Sequence, residues 1–226
     1  MKSATRSANS PFDASEEMQL AFPTGGLAKR AFDVTTAVAA LLVFSPLFLL
    51  ILTLVKLTDP GPAFYGHRRV GHNGRYFKCL KFRTMMVNGD EVLRRHLQNN
   101  PEAAEEWRTT RKLKNDPRVT AVGSVLRKLS LDELPQLLNI LRGEMSVVGP
   151  RPVVDDELTL YDNFAVYYLQ TRPGLTGLWQ ISGRNDVSYE SRIAFDTHYV
   201  QNWSLMTDVS IILKTIPAVC LSRGSY

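Results

Sequence analysis

The segment VTTAVAALLVFSPLFLLILTLV, residues 34–55, decides how the rest of the chain must be arranged. Its 22 residues carry no charge and lie between Asp33 and Lys56. A straight helix of this length reaches about 33 Å at about 1.5 Å per residue, which is enough to cross the hydrocarbon core of a bilayer. Because a buried helix of a soluble protein rarely runs so long without a charge, the segment predicts a membrane helix.

The pair Ser45–Pro46 stands almost at the middle of this segment. Proline removes one backbone hydrogen bond, and its commonest consequence here is a kink in a spanning helix. The flanking charges favour another topology, because four Lys or Arg residues precede the segment and the next four follow it, which gives no inside–outside bias. A helix–break–helix that enters and leaves by the same leaflet satisfies both observations, so the residues alone leave spanning and re-entrant topologies open.

The remainder of the chain is ordinary globular sequence with a basic excess. Of its 226 residues, 44% are hydrophobic and 22% charged, with a net charge of +5, which excludes a wholly disordered chain and favours an anionic partner. Its two cysteines exclude a disulfide framework. Residues 1–28 predict a loose leader, which is not a secretory signal because acidic residues stand where an apolar core would lie. Residues 59–226 predict a compact cytosolic domain.

Local signals predict several elements of this domain. The Asn73–Gly74 pair lies between residues 63–70 and 75–85 and predicts a β-hairpin. Residues 204–221 predict an amphipathic helix that lies either on a membrane surface or in the core. Residues 149–152 and 172–177 predict loops. The other predicted helices are residues 90–99, residues 101–114 capped by Asn100, residues 130–142 and residues 189–199.

Residues 60–89 contain six Lys or Arg residues and no Asp or Glu. Such one-sided charge suits phosphate groups of a nucleotide or of lipid, although a solvated basic hairpin is an equally ordinary explanation. Interleaved Tyr76, Phe77 and Phe82 raise nucleic-acid binding as an alternative. The neighbouring membrane segment favours phosphate, because a nucleic-acid binder would not need it.

The stretch Ser130-Leu131-Asp132-Glu133 permits two interpretations. Its Ser-x-x-Glu spacing matches a capping box at a helix start. Pro135 indicates that the helix begins after Ser130, which would leave the adjacent carboxylates free to hold Mg²⁺ or to attack phosphorus. Arg127 precedes the pair, Arg151 lies between Pro150 and Pro152, and Arg184 follows Gly183. Phosphoryl transfer needs such fixed positive charge, but spacing alone does not separate cap from catalyst. The four histidines are too scattered to predict a metal site.

Seven short motifs make the chain resemble the bacterial sugar transferases, also called monotopic phosphoglycosyl transferases. They occur in this order: KRAFD (29–33), SP (45–46), DPGP (59–62), KFRTM (81–85), LSLDELPQ (129–136), GPRP (149–152) and RPGLTG (172–177). The resemblance covers nearly everything from residue 29 to the C-terminus. The C-terminal residues 222–226 extend it to transferases of the undecaprenyl-phosphate galactosephosphotransferase type that act in succinoglycan exopolysaccharide synthesis.

The resemblance implies an α+β fold, with a small mixed catalytic domain, a re-entrant membrane helix over residues 29–58 and interfacial amphipathic helices. It implies transfer of a sugar 1-phosphate, galactose 1-phosphate by the nearest likeness, from a UDP-sugar to undecaprenyl phosphate with release of UMP. Mg²⁺ is the implied cofactor, with Asp132 as nucleophile, Glu133 as second carboxylate, and both as metal ligands. The implied location is the bacterial inner membrane, with the catalytic domain facing the cytosol.

The resemblance also assigns roles to other residues. Arg127, Arg151 with Pro150, and Arg184 would grip phosphates, whereas Lys81 and Arg83 belong to a substrate-binding motif of less defined role. Two pairs would anchor the chain in the membrane, Lys29–Arg30 at the headgroups and Ser45–Pro46 at the break. The expected partners are the UDP-sugar, undecaprenyl phosphate and membrane lipid, without nucleic acid and with a homodimer left open. The competing hypothesis is a membrane-anchored basic adaptor that binds anionic lipid without catalysis.

Overall fold

The computed structural model of the protein describes residues 22–182 and 188–220, with side chains described up to residue 217. It has the predicted α+β fold, with many helices and two small sheets. The helices are α1 Gly26–Thr58, α2 Gly89–Asn99, α3 Pro101–Thr110, α4 Ala121–Lys128, α5 Gln136–Arg142, α6 Asp155–Thr159, α7 Ala165–Leu169, α8 Leu178–Ile181, α9 Tyr189–Gln201 and α10 Leu205–Cys220. The strands are β1 Phe64–Val70, β2 Tyr76–Phe82, β3 Ser146–Val148 and β4 Gly174–Thr176.

Helix α1 contains the predicted membrane segment. Within the described residues it is the one helix long and apolar enough to cross a bilayer, with a mean hydropathy of 2.8 over its most apolar window. It begins at Gly26, three residues before the predicted membrane boundary, and the backbone N–H of Thr24 already donates to the carbonyl of Gln170 at 3.0 Å. The rest of the predicted leader, residues 1–21, lies outside the described residues.

The backbone of α1 stays helical through Ser45–Pro46. Pro46 has no amide to donate to the carbonyl of Leu42, four residues earlier, and the hydroxyl of Ser45 donates to that same carbonyl at 2.9 Å. The serine therefore satisfies the acceptor that the proline leaves without a partner, which matters most where no water can replace the bond.

Both ends of α1 pack against the rest of the protein. Asp33 and Ala37 near its start and Ile51 and Val55 near its end are buried, whereas residues 42–46 between them are all exposed. A straight helix that met the domain at one end only would bury residues at that end alone. The burial pattern therefore brings both ends of the apolar segment to the same domain.

Strands β1 and β2 form the predicted hairpin, with Phe64 paired to Phe82 and Val70 to Tyr76. The connecting turn has Asn73 in the left-handed region, at φ +53°, which asparagine tolerates better than most residues. The rings of Phe64 and Phe82 lie 5.4 Å apart, and Phe48 of α1 lies 4.9 Å from Phe82. The hairpin is therefore packed directly on the second half of the membrane helix.

The predicted helices are confirmed where the sequence signal lies within a few residues of the helix end. Asn100 caps α3 by accepting from the amide of Ala103 at 3.1 Å, although α3 ends at Thr110, four residues earlier than predicted. Helix α9 follows its prediction within two residues. Helix α10 begins one residue after its predicted start and packs one side on the core, because Ile211 is buried, whereas the apolar side chains of Met206 and Leu213 are exposed. Helix α4, capped by Thr120, was not predicted.

The prediction of a loop over residues 172–177 is wrong, because β4 runs there parallel to β3. The strands approach closely at two glycines. A Cβ on Gly174 would lie 2.1 Å from the amide nitrogen of Gly149, so neither strand end tolerates a side chain there. This contact fixes the backbone that leads into Pro150 and Arg151.

Candidate active site

Asp132 and Glu133 lie in a 3₁₀ turn, Leu131–Glu133, between α4 and α5. The capping-box interpretation is wrong, and the helix predicted over residues 130–142 is confirmed only from Gln136 to its end at Arg142. Ser130 adopts a left-handed conformation at φ +56° and makes no capping hydrogen bond, and α5 begins only at Gln136, after Pro135. Proline has no amide to donate into a preceding turn, which separates the 3₁₀ turn from α5. Neither carboxylate serves as a helix cap.

Lys81 of β2 reaches both carboxylates. Its Nζ lies 2.6 Å from Oε1 of Glu133 and 3.6 Å from Oδ2 of Asp132. The Asp132 side chain is 12% exposed and that of Glu133 37%. The structure thus brings three predicted site residues into one cluster, although Lys81 and Glu133 lie 52 positions apart in the sequence. The cluster is most exposed at Glu133 and Lys81.

Burial and charge act in opposite directions on this cluster. Burial raises the pKa of Asp132, the neighbouring Glu133 raises it further, and Lys81 and Arg127 act against both. Burial alone would lower the pKa of Lys81, but the charges of Glu133 and Asp132 outweigh it, and the pKa of Lys81 is raised. Lys81 therefore stays a cation and is the largest single influence favouring the ionised form of Asp132.

Arg127 stands at the end of α4, where its Nε donates to Oγ1 of Thr84 at 2.9 Å. The start of α4 is docked on the same residue, because the amide of Thr120 donates to the carbonyl of Thr84 at 3.0 Å. A Cβ on Gly123 would lie 2.1 Å from that carbonyl oxygen, so only glycine permits this approach. The sequence after β2 therefore positions Arg127 two turns along α4.

Arg83 has a different environment from Lys81. Its guanidinium pairs with Oδ2 of Asp59 at 3.3 Å and donates to the Asp59 carbonyl. The amide of Val87 donates to the same Asp59 carboxylate at 2.7 Å. In the described residues Arg83 thus fastens the linker that leaves α1, and its assignment to substrate stays a prediction.

Arg151 is exposed, and its guanidinium lies 5.6 Å from the ring centre of Trp179, which Arg192 also covers at 4.7 Å. The carbonyl of Pro150 accepts from the amide of Gly174 at 2.7 Å, which holds the arginine at the end of β3. A cavity of about 10 Å³, room for about one water, lies beside these groups. Arg184 lies outside the described residues.

Asp196 lines the same cavity and was not predicted. Burial raises its pKa to about 7, although the hydroxyl of Tyr161 donates to its Oδ2 at 2.7 Å and favours the ionised form. No sequence motif marks this residue, because it occupies an ordinary position of a predicted helix.

The prediction that Lys29 lies at lipid headgroups is wrong, because the side chain is buried within the protein. Its Nζ contacts Oδ2 of Asp208 at 2.7 Å and Oδ1 of Asp33 at 3.3 Å. Arg30 donates to the carbonyls of Ile140 and Leu141, at the end of α5. The basic pair therefore fastens the start of α1 to α10 and α5.

The donor set suits a hard cation. Mg²⁺ binds through one or two carboxylates together with substrate phosphates, and Asp132 and Glu133 are adjacent carboxylates of which Glu133 is partly exposed. Lys81 contacts one oxygen of each. Over residues 22–182 and 188–220 no group of three or more His, Cys, Asp or Glu side chains could form a self-sufficient metal site. The fit is to a metal completed by the substrate.

Comparison with known proteins identifies the family to which the chain is similar. Residues 24–222 match the family model described as bacterial sugar transferase. The chain is 74% identical over 226 residues to the exopolysaccharide production protein ExoY of Rhizobium meliloti, with both chains covered completely. It is 53% identical to the undecaprenyl-phosphate galactose phosphotransferase of Salmonella typhimurium, covering 88% of this chain and 41% of that protein. It is 41% identical to the UDP-glucose:undecaprenyl-phosphate glucose-1-phosphate transferase of Caulobacter vibrioides, covering 88% and 72%.

Proposed function

The chain belongs to the bacterial sugar transferase family, and we propose that it transfers a sugar 1-phosphate from a UDP-sugar to undecaprenyl phosphate, with release of UMP. The observation that carries the proposal is the cluster of Asp132, Glu133 and Lys81. A buried carboxylate whose ionised form is favoured by a neighbouring ammonium is a nucleophile with little water to displace.

The proposed reaction has two steps that use the same carboxylate. In the first, an oxygen of Asp132 attacks the sugar-bearing phosphorus of the donor, the bond from that phosphorus to the bridging oxygen breaks, and the bridging oxygen leaves with UMP. In the second, a phosphate oxygen of undecaprenyl phosphate attacks the same phosphorus, and the bond to the Asp132 oxygen breaks. The carboxylate is regenerated, and no net proton is taken up in either step.

The other residues bind and orient the diphosphate. We assign Arg127 to the charge that develops on the phosphates beside Asp132, because its backbone is fixed by α4 and its Nε by Thr84. The contact between β3 and β4 holds Arg151 at an exposed position, where its side chain can bind the UDP-sugar. Asp132 and Glu133 would hold Mg²⁺, which when bound neutralises the diphosphate and favours departure of UMP.

The membrane helix explains how a water-soluble donor meets a lipid acceptor. Both ends of α1 pack on one domain while its middle is exposed and apolar, which supports a re-entrant helix immersed in one leaflet. We place that leaflet on the cytosolic side of the inner membrane, where UDP-sugars are made. A site fastened to such a helix lies at headgroup depth, within reach of the lipid phosphate.

We propose galactose as the sugar and assembly of an exopolysaccharide of the succinoglycan type as the process. The support is the similarity to an exopolysaccharide production protein and to a galactose phosphotransferase. Because a glucose-1-phosphate transferase is also similar, the sugar has to be established by assay.

The test is UMP release from UDP-galactose, UDP-glucose and other UDP-sugars, with undecaprenyl phosphate and Mg²⁺. We expect Asp132→Asn to lose at least about 10³-fold in rate, and the exposed carboxylate variant Asp156→Asn to match the wild type. Mass spectrometry of quenched wild type should show a phosphosugar on the peptide that contains Asp132. Full activity of Asp132→Asn would remove that residue from the mechanism. Salt-sensitive binding to anionic vesicles without any UMP release would instead favour the adaptor hypothesis.

A further inference from the structure

Asn139 lies in α5, the helix that follows the active-site carboxylates, and is completely buried. Its Oδ1 accepts from the amide of Leu80 at 2.9 Å, and its Nδ2 donates to the carbonyl of Lys78 at 2.8 Å. The carboxylate of Glu144 accepts from the same Nδ2, which fixes the orientation of the amide. Both polar atoms of the Asn139 side chain are therefore hydrogen-bonded to β2.

The two bonds to β2 reproduce a feature of sheets. Around Cys79, a parallel neighbouring strand would donate to the carbonyl of residue 78 and accept from the amide of residue 80. The side chain of Asn139 makes this pair of bonds in place of a strand. The hairpin of β1 and β2 is a two-stranded sheet, and such hairpins are marginal without further packing or pairing. Asn139 supplies the pairing on the open edge of β2.

These contacts join the two parts that meet in the active site. Lys81 follows Leu80 on β2, while Asp132 and Glu133 precede the same helix that carries Asn139. The distance of 2.6 Å from Lys81 to Glu133 therefore depends on the register between β2 and α5. The side chain of Asn139 hydrogen-bonds both to the backbone of β2 and to Glu144, which follows α5.

We infer that Asn139 is a positioning residue, which sets the register between β2 and α5 so that Lys81 meets the carboxylates of Asp132 and Glu133. The inference rests on the proposed function for its catalytic consequence but not for its structural part. A residue that merely fills the core would affect activity whether or not Lys81 is present. A residue that positions Lys81 affects activity only through Lys81.

The structural part is tested by hydrogen–deuterium exchange of the full-length protein in detergent. Asn139→Ala should speed exchange at the Leu80 amide and leave the far end of the hairpin unchanged. Ile140→Val, which trims a buried side chain of the same helix and keeps both hydrogen bonds from Asn139 to β2, should leave the Leu80 amide protected. Unchanged protection of Leu80 in Asn139→Ala would overturn the inference. If that variant does not fold, Asn139→Ser, which retains one hydroxyl for one of the two bonds, replaces it throughout.

The catalytic part is tested by UMP release with separate determination of kcat and KM. Asn139→Ala should lower kcat about 10- to 100-fold, the effect of a displacement of about 1 Å, with KM for the donor within about twofold. In a Lys81→Gln background the same change should cost less than about threefold, because the group that Asn139 positions is gone. Full multiplicative losses in the double variant would show a general structural role and overturn the inference. A wild type that releases no UMP would defeat the proposed function instead, and the exchange experiment would still decide the structural part.

Discussion

Replacing Lys29 with methionine tests whether the membrane helix is fastened to the domain by a buried ion cluster. Asp33 and Asp208 are completely buried, and Lys29 is the cation that contacts both in the described structure. Removing one partner of a buried pair leaves an uncompensated charge and costs about 3–5 kcal/mol. Since domains are stable by about 5–15 kcal/mol, we expect Lys29→Met to lose a large part of the free energy of unfolding.

Guanidinium unfolding in detergent, followed by tryptophan fluorescence, measures this loss. Lys56→Met is the matched control, because Lys56 is exposed in the last turn of the same helix and should change stability by no more than about 1 kcal/mol. The double variant Lys29→Met/Asp208→Asn should recover about 1 kcal/mol or more, since it removes one of the orphaned charges. The hydroxyl of Tyr199, which donates to Asp208 at 2.7 Å, can still donate to the asparagine oxygen.

A loss below about 1 kcal/mol in Lys29→Met would refute the reasoning, because a buried cation with two partners cannot be removed so cheaply. Stability losses that simply add in the double variant would show that packing, and not charge, dominates. Weakened binding to anionic vesicles with unchanged unfolding would restore the headgroup role that the sequence predicts for Lys29.

Two further predictions concern groups near the site. Asp196 has a pKa of about 7 in the folded protein against an ordinary value of 3.8, so the folded state binds its proton more tightly and loses stability as the pH rises from about 4 to 7. Asp196→Asn lacks this loss, and its free energy of unfolding relative to wild type should therefore rise on the order of 2 kcal/mol between pH 5 and pH 8. A difference that does not change with pH would count against burial of Asp196 as the cause. Gly123→Ala would place a methyl group 2.1 Å from the Thr84 carbonyl oxygen, and it should lower the free energy of unfolding by about 2 kcal/mol or more and also lower the rate of UMP release. Gly74→Ala, whose methyl group meets nothing within 4 Å, should cost about 1 kcal/mol through its backbone conformation alone and keep its activity.

The elements that the sequence predicts correctly carry their signal within a few residues. The Asn73–Gly74 turn lies between two runs with strand character, and Asn100 with Pro101 marks the start of a helix. Strands β3 and β4 have only three residues each and pair across 28 positions. Their pairing depends on close backbone contact at Gly149 and Gly174, which no local periodicity reports.

The candidate site shows the same division. The adjacent carboxylates stand out in the sequence, but only the structure shows that Ser130 is left-handed and that no capping box forms. Lys81 belongs to a basic run that suits phosphate, and its contact with carboxylates comes from folding β2 against the turn. Lys29 borders an apolar segment, where lysines commonly extend to headgroups. Its partner Asp208 lies 179 positions later, beyond the reach of any pattern.

The membrane helix holds the active site from two sides. Its second half packs on β2 through Phe48 and Phe82, whose rings lie 4.9 Å apart, next to Lys81. Its first half holds the end of α5 through Arg30, and α5 follows Asp132 and Glu133. The distance between the ammonium of Lys81 and the carboxylates of Asp132 and Glu133 therefore depends on how both halves of α1 pack on the domain.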